Sequence, residues 1–158
     1  MKKVFYSFHF NNDVMRAQMV RNIGAIDENP PVKRNEWEEI KKSGDAAVER
    51  WISDNMKGKE CLVVLAGAKT AGRRWVKYEI KEAWKKGIGL LAVHIHNLKD
   101  ADGEQSGKGS DPFAGLKVNE ESVVGAVYDP PYKTSTNVYD HIASNIEKWV
   151  ETAINARK

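Results

Sequence analysis

The chain has 158 residues, of which 41% are hydrophobic and 30% are charged, and its formal net charge is +3. This composition is typical of one globular domain with enough residues to bury an ordinary core. Lysine and glutamate are mixed along the helical segments, whereas a nucleic-acid surface needs a concentrated basic stripe. We therefore expect a single domain over residues 1–158 that has no nucleic-acid partner.

The cysteine content and the hydropathy of the sequence indicate the cellular compartment in which we expect the protein. Cys61 is the only cysteine, so no disulfide forms within the chain, which is compatible with a reducing cytosol. No apolar run approaches the roughly 18 residues of a membrane span, and the apolar part of the N-terminal segment is too short for a signal peptide. We expect a cytoplasmic protein without membrane contact.

The N-terminal part predicts a strand followed by a helix. Residues 4–8 are rich in β-forming side chains and predict the first, central strand. The polar residues 9–13 predict a loop that caps a helix over about residues 14–26, where apolar side chains recur at helical spacing. Residues 27–31 end this helix, because their two prolines cannot continue it.

The next segment is less regular. Residues 30–43 fit no single element, and a short second strand near Val32 is one interpretation. An amphipathic helix then starts near Asp45, continues to Met56 and ends at Gly58, where a C-terminal glycine is usual.

The centre of the chain predicts a strand, a loop, a helix and a second strand. The run Cys61–Ala66 is apolar on both faces, as expected of a central parallel strand. Residues 67–72 form the loop, and a helix runs from Arg73 to Gly87. Residues 88–95 form another buried strand.

The C-terminal part begins with a polar, glycine-rich loop over residues 97–115, and loops of this length are typical of functional lids or of disorder. An edge strand over residues 123–128 and a helix over about residues 138–156 follow. Strands thus alternate with helices, which predicts a parallel sheet covered on both faces. We expect an α/β, flavodoxin-like three-layer sandwich with a central, mostly parallel sheet.

Glu79 is the acid with the most informative position. It lies at the edge of the apolar stripe of its helix, on the side shared with Trp75, about two turns from the helix start. A carboxylate there lines a crevice above the strand ends, where open α/β sheets bind ligands. The alternative is a surface glutamate stabilised by the helix dipole.

Three residues at the end of the first strand, Ser7, Phe8 and His9, should lie across this crevice from Glu79. Phe8 has an aromatic face on which the ring of a nucleotide can stack. The alternative places Phe8 in the core and leaves His9 as a solvated loop residue.

Arg73 and Arg74 open the helix that carries Glu79. They are candidates for holding a diphosphate at the helix N-terminus, or else they form a solvated pair. The preceding loop, residues 67–72, lacks the Gly-Lys-Ser/Thr ending of a phosphate loop, which excludes ATP hydrolysis by that motif.

Three histidines are candidate ligands for a metal ion. His94 and His96 alternate on one strand face, and His9 is a third candidate that approaches them. No acid or cysteine completes a ligand set by spacing, so we expect no metal site.

Several short motifs resemble one protein family. They are residues 6–9 (Tyr-Ser-Phe-His), 20–22 (Val-Arg-Asn), 37–38 (Trp-Glu), 73–80 (Arg-Arg-Trp-Val-Lys-Tyr-Glu-Ile), 95–97 (Ile-His-Asn) and 109–113 (Gly-Ser-Asp-Pro-Phe). Together they resemble the TIR-like branch that includes the ThsB proteins of Thoeris anti-phage defence, up to about Phe113. Residues 75–80 are also similar to the Trp-Cys-x-x-Glu-Leu element of TIR domains, with Val76 in place of the cysteine.

The resemblance implies cleavage of NAD at the nicotinamide–ribose bond, with Glu79 as the catalytic residue and NAD as a substrate rather than a cofactor. If NAD is the substrate, the candidates for contacting it are the six residues placed around the crevice: Ser7, Phe8, His9, Arg73, Arg74 and Trp75. The resemblance further implies a cyclic ADP-ribose-type signal that reaches a separate effector protein, self-association on activation and a phage-derived trigger. The alternative is a non-enzymatic TIR module that acts by self-assembly.

Overall fold

The computed structural model describes residues 1–24, 27–28 and 34–158. In this part of the chain the strands are β1 (Lys3–Ser7), β2 (Asp27–Glu28), β3 (Cys61–Ala66), β4 (Gly89–His94), β5 (Lys117–Val118), β6 (Glu121–Ser122) and β7 (Ala126–Tyr128). The helices are α1 (Phe10–Arg21), α2 (Arg34–Lys42), α3 (Asp45–Met56), α4 (Arg74–Lys86) and α5 (Ser135–Asn155).

A parallel sheet of five strands, in the order β2-β1-β3-β4-β7, forms the middle layer. The chain moves outward from β1 to β2 and then returns to place β3 on the other side of β1, so the strand order reverses between β1 and β3. Ligands of open α/β sheets bind outside the carboxyl ends of the strands at such a reversal. The predicted α/β, flavodoxin-like fold is confirmed, and β1 is an interior strand beside the central β3.

Two core clusters cover the two faces of the sheet. Alternation along β3 sends Val63 and Leu65 to the face covered by α1 and α5, and Leu62 and Val64 to the face covered by α3 and α4. All six residues of β3 are buried, because both faces of this strand are covered. The position of a side chain in this alternation therefore decides which helices it meets.

Helix α1 starts earlier than its apolar pattern predicts. It begins at Phe10, so residues 11–13 form its first turn, and the prediction that they form a capping loop is wrong. The physical reason is that the buried side of α1 includes Asp13 and Arg16, whose charges pair with each other and interrupt the apolar stripe. The helix ends at Arg21 rather than near residue 26.

The second strand is also displaced from its predicted position. Asp27 and Glu28, which we expected to end a helix, instead pair with Lys3 and Val4 of β1. The strand considered near Val32 lies outside the described residues. Part of the segment left ambiguous, residues 34–42, is helix α2.

A short antiparallel hairpin, β5–β6, was not predicted. Its turn residues, Asn119 and Glu120, have φ angles of 50° and 68°. This left-handed conformation suits a two-residue hairpin turn, but such turns are usually marked by glycine, and neither residue is glycine. The edge strand that follows, β7, begins at Ala126 rather than at residue 123.

Arg16 fixes the first part of the long loop after β4. Its guanidinium donates from Nε to the carbonyl of Leu98 and from Nη2 to the carbonyl of Glu104, both at 2.8 Å. Nη1 lies 3.2 Å from Oδ1 of Asp13. The buried Asp13–Arg16 pair therefore joins α1 to this loop.

Within the described residues, none of the helices combines the length and the apolar character needed to cross a membrane.

Gly67, which follows β3, should not tolerate a side chain. A Cβ atom at this position would lie 2.5 Å from Cγ of Asp13, and Asp13 is buried and held by Arg16. We expect Gly67→Ala to lower the free energy of unfolding by about 1–3 kcal/mol, as overpacking does elsewhere. Urea denaturation measures this change.

Gly107→Ala is the matched control, because nothing lies within 4 Å of its Cβ position and its φ is not positive. We expect its effect to stay within about 0.5 kcal/mol. Equal stability of the two variants would contradict the packing described for Gly67.

Candidate active site

The side chains of Ser7 and Glu79 meet at the carboxyl end of β1. Ser7 is the last residue of β1, and Glu79 lies in the second turn of α4. Ser7 Oγ donates a hydrogen bond of 2.7 Å to Glu79 Oε1. Ser7 is 1% exposed and Glu79 is 8% exposed. This contact lies where the strand order reverses, the position at which open α/β sheets bind ligands.

The carboxyl group of Glu79 has no cationic partner within ion-pair distance among the described residues. Burial raises the pKa of Glu79 to about 8, and the hydrogen bond from Ser7 opposes part of this rise. A carboxyl group with this pKa is mostly protonated at pH 7. Burial without a counter-charge therefore favours the neutral form of Glu79 in this conformation.

Trp75 and Arg74 lie one turn before Glu79 on α4. The indole of Trp75 is partly buried against the α3/α4 core cluster and makes an edge contact with Tyr78 at 5.6 Å between ring centroids. The guanidinium of Arg74 stacks 4.5 Å above the Trp75 ring and pairs with the carboxylate of Asp45. Arg74 is thus engaged at the surface, and its contact with a phosphate stays a prediction.

Arg73 and His9 each cap a helix that begins beyond the carboxyl end of a strand of the sheet. Arg73 is the N-cap residue of α4, and its Nε donates to the carbonyl of Lys69 at 3.0 Å. His9 is the N-cap residue of α1. Burial lowers the pKa of His9, and the positive charge of Arg73 lowers it further. The N-termini of α1 and α4 therefore lie at the same edge of the sheet as Ser7.

Phe8 points to the other face of the sheet. It packs against the α1/α5 core cluster and stacks on Phe10, with ring centroids 5.9 Å apart and planes at 22°. Successive side chains alternate along a strand, so Phe8 faces away from Ser7. The structure does not bring Phe8 to Glu79, and its stacking on a nucleotide stays a prediction.

His94 and His96 form a second buried polar group, at the end of β4. They are 4% and 9% exposed, and their rings meet edge to face with centroids 5.8 Å apart. Burial lowers the pKa of both imidazoles, and the Nδ1 atom of each has no hydrogen-bond partner among the described residues. The described residues contain no group of three or more histidine, cysteine, aspartate and glutamate side chains that could hold a metal ion.

Sequence reasoning missed two supports of the site. Asp13 and Arg16 have opposite charges at the i,i+3 spacing that joins side chains on one helix face, and this signal could have indicated the pair. Thr70 is fully buried, and its Oγ1 accepts a hydrogen bond of 2.8 Å from the amide of Gly67. Thr70 lies four residues after the end of β3, and threonine hydroxyls can bond nearby backbone groups in turns. Thr70 holds the loop that leads into α4.

Comparison with known proteins gives one family. A family model described as "Thoeris protein ThsB, TIR-like domain" matches residues 5–100, which include Ser7 and Glu79. The protein named "Putative cyclic ADP-D-ribose synthase ThsB1" from Bacillus cereus (strain MSX-D12) is 35% identical to this chain over 117 residues. The alignment covers 71% of this chain and 61% of that relative, so the chain spans less than two thirds of the length of the relative.

The neutral state of Glu79 predicts how stability depends on pH. The pKa of Glu79 rises from its ordinary 4.5 to about 8 on folding, so between these values unfolding releases a proton. The stability that comes from the neutral form is present below pH 4.5 and is lost as pH rises to about 8. We expect wild type to lose on the order of 5 kcal/mol relative to Glu79→Gln across this range. Urea denaturation at several pH values measures the difference.

Glu82→Gln is the control on the same helix, because Glu82 is partly exposed and pairs with Lys85 at 3.3 Å. Its stability curve should run parallel to that of wild type. A Glu79→Gln curve that also runs parallel to wild type would show that Glu79 is charged in the folded protein.

Proposed function

The chain belongs to the TIR-like domain family of the Thoeris protein ThsB, and we propose that it cleaves NAD at the nicotinamide–ribose bond. The observation that carries this proposal is the position of one carboxyl group. Glu79 is buried, bound by Ser7 and placed where the sheet reverses its strand order. Glu79 is the catalytic residue of the proposed reaction.

A single carboxylate suits this chemistry. As the bond from ribose C1′ to the nicotinamide nitrogen breaks, the electron pair moves to the ring and neutralises its positive charge. Positive charge then develops on the ribose, as in the oxocarbenium-like transition states of glycoside hydrolysis. A fixed carboxylate beside C1′ stabilises that charge. Nicotinamide leaves as a neutral molecule, so no general acid is needed.

The attacking group decides the product. Attack by water gives ADP-ribose, whereas attack by a nitrogen or hydroxyl group of the same nucleotide gives a cyclic product. The printed name of the ThsB1 relative, a cyclic ADP-D-ribose synthase, favours the cyclic product. In the proposed pathway this nucleotide diffuses to a separate effector protein in anti-phage defence. A phage-derived trigger and self-association of the chain precede turnover.

The charges at the start of α4 suit the diphosphate of NAD. Arg73 and Lys69 lie at the N-terminus of α4, where backbone amides and cations favour a bound anion. His9 lies beside them and is available as a neutral hydrogen-bonding group. Trp75 borders the proposed site one turn from Glu79. In this arrangement the diphosphate lies at the start of α4 and the nicotinamide ribose lies beside Glu79.

The test is release of nicotinamide from NAD by the purified chain, alone and with extract of phage-infected cells. We expect Glu79→Gln to lower the triggered rate at least about 100-fold, because an electrostatic stabiliser of the transition state is lost. Glu82→Gln should keep the wild-type rate. Chromatography of the nucleotide product then distinguishes linear from cyclic ADP-ribose.

Two results would contradict the proposed NAD-cleaving activity. Equal rates for Glu79→Gln and wild type would remove Glu79 from the chemistry. Absence of nicotinamide release under every trigger, together with trigger-dependent assembly of the chain, would favour a non-enzymatic TIR module that acts by self-assembly.

A further inference from the structure

A second group of buried polar side chains lies at the carboxyl end of β4, apart from Ser7 and Glu79. His94 ends this strand, and Ile95, which follows it, packs in the α1/α5 core cluster. Because side chains alternate along a strand, the imidazoles of His94 and His96 point to the other face of the sheet. Their rings meet with centroids 5.8 Å apart, and both side chains are buried. Another part of the chain therefore covers these two imidazoles.

Residues 106–111 of the long loop, which we call the strap, lie against this histidine pair. The amide of Ser106 donates a hydrogen bond of 2.9 Å to the carbonyl of His96. The hydroxyl of Ser106 is buried and has no hydrogen-bond partner among the described residues. In the same part of the chain, the amides of residues 107–110 donate no hydrogen bond to another backbone group. Few backbone contacts therefore hold the strap in place.

Two further contacts join the strap to neighbouring strands. Lys108 Nζ lies 2.9 Å from Oδ2 of Asp129, the residue after β7. Both side chains are exposed, so this ion pair alone contributes little stability. Gly109 packs on the loop that follows β3, because a Cβ atom at Gly109 would overlap the carbonyl oxygen of Gly67. That loop, residues 67–72, leads into α4, so the strap contacts the segment that positions the start of this helix.

The surroundings of the histidine pair favour neutral imidazoles. A neutral imidazole has a hydrogen on one ring nitrogen only, whereas a protonated imidazole is a donor at both. The Nδ1 atoms of His94 and His96 are buried and have no hydrogen-bond partner among the described residues. Protonation would therefore bury a positive charge and leave a buried N–H group without an acceptor, and both are costly.

The charged groups around the pair do not remove this cost. Asp129 acts on both imidazoles, but its carboxylate is paired with Lys108, whose positive charge has the opposite effect. Asp111 of the strap acts on His94, and Arg16 of α1 acts on the other ring. A charge on one ring would also repel a charge on its neighbour. Burial is the largest effect and lowers the pKa of both imidazoles below 6.5.

We propose that the strap stays closed while both imidazoles are neutral and opens when they take up protons, which frees the loop that leads into α4. In the open form the rings meet water and regain an ordinary pKa of about 6.5. The equilibrium therefore shifts toward the open form as pH falls below about 6.5, and the closed form keeps its full stability above this pH. The inference goes beyond the proposed function, because it concerns other residues and does not require cleavage of NAD.

Hydrogen exchange of the wild-type chain at pH 7.5 and pH 5.5 tests the proposal. The reporter is the amide of Ser106, and its protection is expressed relative to the intrinsic exchange rate at each pH. We expect this protection to be at least about tenfold lower at pH 5.5, because each proton taken up on opening shifts the equilibrium by up to about tenfold per pH unit. The amide of Leu98, bonded to the carbonyl of Ile95 where Arg16 anchors the loop, is the internal control and should keep its protection.

The loop that leads into α4 has its own reporter. The amide of Gly67 donates to Thr70 Oγ1 at 2.8 Å. We expect this amide to lose protection over the same pH range as the amide of Ser106, because Gly109 no longer packs on the loop when the strap is open. Loss of protection at Ser106 with none at Gly67 would overturn the link between the strap and α4.

A variant that carries His94→Gln and His96→Gln together has no titratable ring under the strap. We expect its Ser106 amide to have the same protection at both pH values. His141→Gln is the matched control, because His141 lies on α5 and packs against Trp149. This control should show the wild-type loss of protection at pH 5.5.

Lys108→Met separates the effect of charge from that of packing. The substitution removes the partner of Asp129, whose carboxylate then stabilises a protonated imidazole beneath the closed strap. We expect the protection of Ser106 to fall less between pH 7.5 and pH 5.5 than it does in wild type.

Equal protection of Ser106 at the two pH values in wild type overturns the inference, and so does an equally large fall at Leu98. Persistence of the full fall in the folded double variant also overturns it. If the double variant does not fold, NMR titration of the wild-type imidazoles replaces it. Rings of His94 and His96 that take up protons near pH 6.5 while Ser106 keeps its protection would contradict the proposal.

Discussion

The buried carboxyl group of Glu79 constrains the rest of the candidate site. The rise of its pKa from 4.5 to about 8 corresponds to on the order of 5 kcal/mol against the charged form. A unit cation about 4 Å away, at an effective dielectric constant of about 20, returns roughly 4 kcal/mol. The two energies are of similar size, so the presence of one cation decides the charge of this group. Surface charges, which salt screens, do not decide it.

A second buried acid, Asp13, differs from Glu79 because it has a positively charged partner. Asp13 is buried, as Glu79 is, and burial raises its pKa too, but the described chain gives it a guanidinium partner, Arg16, which opposes that rise. The Arg16 guanidinium also satisfies two loop carbonyls, and such hydrogen bonds make a buried ion pair tolerable. The fold thus has two buried acids at the same edge of the sheet, and the two have different roles. Asp13 organises the scaffold, while Glu79 lacks a counter-charge at the place where a ligand can supply one.

Sequence reasoning identifies Cys61–Ala66 and α4 almost to the residue, because both have regular apolar patterns and α4 ends at a glycine. The start of α1 is wrong because its buried face includes charged side chains. The apolar pattern places Glu79 at a helix edge, and only the resemblance gives it a role. The bond to Ser7 joins residues 72 positions apart, so no local pattern contains it. Side chains alternate between the two faces along a strand. This rule, extended to Phe8, predicts that Phe8 lies on the other face of the sheet from Ser7.

The anchoring of the long loop by Arg16 has a consequence for limited proteolysis. Arg16 holds the loop on both sides of its exposed tip, at Leu98 and at Glu104. Exposed loop tips are the preferred sites of nicking. A cut within residues 101–103 leaves each new end bound to the same buried guanidinium, so the two fragments stay together and the folded body survives the cut. The nicked chain would separate only under denaturing conditions, as two pieces.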